Sequence, residues 1–83
     1  MKYYNHGNFI SDFEKSGIAA NIDDILEWIA MLSFTVSVGE KFNVLGYSNT
    51  IDCEKKEHLF IFEKMLIGGE EQIFYAGIIS KKI

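Results

Sequence analysis

The clearest pattern in the chain is a pair of apolar runs in its second half. Residues 58–67, HLFIFEKMLI, and residues 72–79, QIFYAGII, are rich in β-branched and aromatic side chains, with Gly68-Gly69-Glu70-Glu71 between them. Two such runs around a glycine pair predict a long β-hairpin. A two- or four-residue loop puts His58, Phe60, Phe62, Lys64 and Leu66 on one face with Ile73, Tyr75 and Ile79. Leu59, Ile61, Met65 and Ile67 then share the other face with Phe74, Ala76 and Ile78. Both faces are apolar, whereas an antiparallel sheet in a small domain usually has one apolar and one polar face.

Upstream, the period changes. Ile22, Ile25, Leu26, Ile29 and Leu32 follow the spacing of one helical stripe, which predicts a helix over 22–33. Asn21 is a good N-cap, and Asp23 and Asp24 fall in the first turn, where the helix dipole favours negative charge. Trp28 lies at the border of the stripe. Residues 9–16, FISDFEKS, predict a shorter helix capped by Asn8 and ended by Gly17. Residues 34–38, FTVSV, alternate as a strand does, Gly39-Glu40 can turn, and residues 41–47, KFNVLGY, return as a second strand. Phe42 and Val44 point one way there, and Leu45 and Tyr47 the other. Residues 48–57 read as a polar loop with room for a short edge strand at Thr50–Cys53. The expected architecture is α+β: N-terminal helices packed on a four-stranded antiparallel sheet that ends in a long β-hairpin.

This pattern has a consequence for burial. One amphipathic helix of about 12 residues covers one sheet face. The second face needs the N-terminal segment, with Tyr3, Tyr4, Phe9 and Phe13, or another chain. Phe60, Phe62 and Tyr75 left bare would make a patch of a few hundred Å², larger than a monomer normally tolerates.

Composition narrows the class. A length of 83 residues predicts a single domain, 1–83, and a 48% apolar content with seven Phe, four Tyr and one Trp supplies the core that a chain this short needs. Twelve acidic residues against eight Lys, with no Arg, give a net charge of −4. Phosphate backbones and anionic membranes repel that charge, so direct nucleic-acid or membrane binding is not expected, and an acidic surface suits a basic protein instead. The single cysteine, Cys53, excludes an internal disulfide, and no apolar run opens the chain, so the expected compartment is the reducing cytoplasm. Abundant Lys, Ile and Asn with no Arg or Pro is a bias common in AT-rich genomes, including many bacteria and their phages.

No motif carries recognisable chemistry. Asp52, Cys53, Glu54, Glu57 and His58 include metal-ligand types, but zinc sites want paired Cys or His at short spacing, so no metal and no cofactor is expected. Cys53 with His6 or His58 lacks the surroundings of a nucleophile motif. Gly68-Gly69 is followed by two acids, which a phosphate loop would not tolerate. The expectation is therefore a non-catalytic protein-interaction module of the inhibitor or immunity type, docking on a target through Phe60, Phe62, Tyr75 and Trp28 and through Asp23, Asp24 and Glu27. The alternative is a small-ligand, nucleotide-like binding protein with an aromatic pocket between hairpin and helix. Either could act as a homodimer.

Overall fold

The computed structural model describes residues 2–4, 6–49 and 55–83. Its elements run β1 (Lys2–Tyr4), α1 (His6–Ser16), α2 (Ile22–Ser33), β2 (Lys41–Asn49), β3 (Lys55–Ile67) and β4 (Glu70–Lys82). The class is α+β: two helices pack on an antiparallel sheet of three strands in the order β4-β3-β2, and the three residues of β1 lie parallel against the outer edge of β4.

Asn21 caps α2 as its chemistry predicts, its side-chain oxygen accepting from the Asp23 N–H at 2.9 Å. Asn8 does not cap α1, which begins two residues earlier, and Gly17 ends that helix at φ 74°. The strand expected at 34–38 is absent. Phe34 and Thr35 instead prolong the end of α2, their N–H groups donating to Met31 and Leu32 carbonyls at 3.2 and 3.0 Å. The reason lies across the fold. The buried ammonium of Lys64 on β3 donates to the carbonyls of Ser33 (3.0 Å) and Val36 (3.2 Å) and pairs with Glu71 at 3.3 Å. A cation at the C-terminal end of a helix satisfies its last carbonyls and its dipole, and α2 has no basic residue of its own in that turn. Thus the sheet contains three antiparallel strands and a short parallel edge, not four antiparallel ones, and Gly39-Glu40 leads into β2 rather than joining two strands.

β3 and β4 pair antiparallel from Ile67/Glu70 to Lys56/Lys82 across Gly68-Gly69. Both glycines have positive φ (60° and 80°), as a two-residue turn matching strand twist requires. The pairing shifts by one residue at Ile61/Phe62, where Ala76 and Gly77 form a bulge and Gly77 takes φ 144°. The bulge reverses the sorting beyond it. Ile78, opposite Phe60, joins the core, and Ile79, opposite Leu59, becomes exposed, the converse of the faces expected from unbroken alternation.

Both helices lie on the same face of the sheet. Phe9 sits at the centre of the core, its ring 5.4, 5.3 and 5.4 Å from those of Phe60, Phe62 and Tyr75, in edge-on geometries. Phe13 meets Phe60, Phe42 stacks on Phe62, and α2 adds the buried Ile29. Ile22, Ile25, Leu26 and Leu32 complete the contact along the stripe seen in the sequence. The long strands stretch the molecule to 47 × 20 × 18 Å.

Candidate functional site

Phe60, Phe62 and Tyr75, expected to anchor a partner, are the chain's own core. Phe60 and Phe62 are each 1% exposed and Tyr75 is 5% exposed. α1 seals them, because Phe9 and Phe13 are one helical turn apart and meet them from one side. Tyr75 also donates to the Asp12 carboxylate of α1 at 2.6 Å, and burial, followed by that bond and charge, holds its hydroxyl well above the usual phenol range. The aromatic space expected to stack a nucleotide is filled by the same rings.

The bare face is therefore the other one. Leu45, Leu59 and Ile79 form one cross-strand row, with Ile61 in the next and Phe74 beyond it. Leu45, Tyr47 and Ile79 are exposed and Leu59, Ile61, Met65 and Phe74 half-buried. Neither described helix lies over them, since both sit on the opposite face. The rim carries balanced charge. Lys41 faces Glu63 across the β2–β3 pair, and Lys81 lies 3.5 Å from Glu57 across the β3–β4 pair. From Glu57 to Glu63, where β2 ends, the three-stranded face measures about 14 Å by 20 Å, roughly 280 Å² in projection. A patch of that size approaches the largest found on typical monomers, which often marks a contact site.

Asp23, Asp24, Glu27 and Trp28 all lie exposed on the outer side of α2. They are on the far side of the molecule from the bare sheet face, so one flat partner surface cannot meet both. The two aspartates compensate the helix dipole there.

A second site gathers at the open ends of β3 and β4. The buried His58 ring holds two hydroxyls, with Nε2 2.7 Å from Ser48 Oγ and Nδ1 2.7 Å from Ser80 Oγ. One serine donates to the imidazole and the other accepts from it. Burial, and then the nearby Lys56, lowers the His58 pKa from its ordinary 6.5, so the neutral ring is favoured. A cavity of about 340 Å³ opens beside it, with Lys15 and Lys56 at its walls and Ile78 and Ser80 lining it. Among the described residues no group of three or more His, Cys, Asp or Glu could hold a metal ion. Asp52, Cys53 and Glu54, considered above as ligands or nucleophile, lie outside the described residues, as does the edge strand expected at Thr50–Cys53.

This cluster was not foreseen, although half of it was legible. Ser48 shares the strand parity of Phe42 and Val44 and so points at the core. Ser80 faces His58 only because of the bulge. No described helix is long and apolar enough to cross a membrane. No family model matches the chain, and neither the curated proteins nor the solved structures include a match to it.

Proposed function

We propose that the protein is a non-catalytic interaction module that works as a homodimer, two copies meeting through the bare face of the sheet. The observation that carries this proposal is the apolar row Leu45–Leu59–Ile79 with Ile61 and Phe74 beside it, on the face opposite both described helices. Charge favours a second copy as the occupant. The chain as a whole is at −4, yet this face is locally balanced, with Lys41, Lys55 and Lys81 against Glu57, Glu63 and Glu70. The acidic side chains of α2 point away, one sheet-to-helix layer of about 10 Å behind it on each copy, beyond the ~8 Å Debye length at physiological salt. Two copies therefore bury apolar surface without bringing their net charges together. Trp28 with Asp23, Asp24 and Glu27 then remains outermost on both sides, where a lysine- or arginine-rich target protein finds complementary charge.

The joint is small. Two faces of roughly 280 Å² give about 560 Å² in projection, below the usual size of specific complexes, so the dimer is expected to be weak and concentration-dependent. Sedimentation equilibrium tests it. The mass should rise with concentration from 9.5 kDa toward twice that value. Ile79→Lys, at a position 55% exposed and so tolerant of charge, should keep the chain folded and monomeric. A parent protein that stays monomeric at a concentration of about 1 mM, where even a millimolar dissociation constant would leave much of it paired, overturns the proposal.

A further inference from the structure

The basic end of the molecule points to a second function, independent of the sheet face. Five of the eight lysines, Lys15, Lys55, Lys56, Lys81 and Lys82, gather where β3 and β4 open and α1 ends. Net charge conceals this, because the acidic Gly68–Glu71 turn lies at the other end of a 47 Å molecule, several Debye lengths away. The local field, not the total, is what a ligand meets.

We infer that the cavity between α1 and the β3–β4 ends binds a phosphate monoester, held by Lys15 and Lys56 with the Ser80 hydroxyl and carrying its organic group against Ile78. Neither lysine has an ion-pair partner among the described residues. Lys81 is committed to Glu57 and Lys55 lies over the Tyr47 ring. The one carboxylate lining the cavity, Asp12, already accepts from Tyr75. His58 prepares the hydroxyl. When its Nδ1–H donates to Ser80 Oγ and its Nε2 accepts from Ser48, the Ser80 O–H is free to donate to an anionic oxygen. A buried neutral imidazole permits that tautomer, and an anion at the Ser80 hydroxyl favours it. The volume of about 340 Å³ admits a small ligand rather than a polymer strand. A smaller cavity of about 170 Å³ shares Lys56 and Ser80 and reaches Lys81 and Lys82.

The test is an NMR titration of the ¹⁵N-labelled protein with phenyl phosphate and with inorganic phosphate, each against sodium chloride at matched ionic strength. Saturable shifts at Lys15, Lys56, Ser80 and the His58 ring are expected, with a dissociation constant on the order of 1 mM or tighter. Tighter binding of phenyl phosphate identifies a monoester, and equal binding identifies the phosphate group alone as the ligand. Lys15→Gln with Lys56→Gln, both outside the core, should weaken binding at least tenfold while leaving the amide spectrum otherwise that of the parent. Ser80→Ala should also weaken it, without a change in charge. Shifts that chloride reproduces, or phosphate shifts that survive the double lysine replacement, overturn the inference. The dimer test reads mass at the opposite sheet face, so either proposal can fail while the other stands.

Discussion

Replacing Lys64 by Met removes the ammonium that holds the end of α2 while keeping an unbranched chain of similar reach. Two charge-assisted hydrogen bonds, to the Ser33 and Val36 carbonyls, are lost, each worth about 1.5–3 kcal/mol. Against this, Met bears none of the desolvation cost that a buried ammonium carries, a cost of several kcal/mol before pairing. The balance is a loss of about 2 kcal/mol, toward the lower end because Val36 is only half-buried. An 83-residue chain has an unfolding entropy of about 0.17 kcal/mol/K, so the midpoint should fall by about 11 °C in calorimetry. The Glu71 partner is 51% exposed, so Glu71→Gln should cost no more than about 0.5 kcal/mol. Hydrogen exchange supplies the local check. The Phe34 and Thr35 amides, which bond back to Met31 and Leu32, should exchange faster in Lys64→Met by a larger factor than amides in the middle of β3. A midpoint within about 2 °C of the parent, with unchanged exchange at those two amides, would refute the role given to this lysine.

Other outcomes follow from the same geometry. Phe9→Ala, at the centre of four aromatic contacts, should cost about 3–5 kcal/mol, a large share of the roughly 4–12 kcal/mol available to a chain of this size; urea denaturation measures it. Gly77→Val should cost about 1–3 kcal/mol from backbone conformation alone, since φ is 144° and nothing lies within 4 Å of an added Cβ; a neutral substitution there would count against the bulge. His58, with its pKa lowered from 6.5, binds fewer protons folded than unfolded. Its stabilising contribution is present above pH 6.5 and is lost as the pH falls through its folded value, so His58→Asn should flatten the rise of stability across that window.

What the sequence determined by itself is local. The α2 stripe, its Asn21 cap, the glycine turn at 68–69 and the apolar character of both sides of the β3–β4 pair all rest on periods and side-chain chemistry that need no distant partner. That two apolar faces require cover was likewise present in the order of residues. Which face is covered was not. Phe9 and Phe13 direct α1 onto the face that α2 already occupies, because Phe60, Phe62 and Tyr75 offer Phe9 edge-on contacts there and Phe60 meets Phe13, and this leaves Leu45, Leu59 and Ile79 bare. Alternation alone also misplaced Ile78 and Ile79, since one extra residue, Ala76, at the bulge exchanges every side chain beyond it between faces. The pattern FTVSV has the period of a strand, yet Lys64 of β3 captures the Ser33 and Val36 carbonyls and holds that segment as the end of a helix. Lys15, Lys56, His58 and Ser80 meet only because the strand ends return to the end of α1. Spacing along the chain records none of these encounters, which depend on residues tens of positions apart.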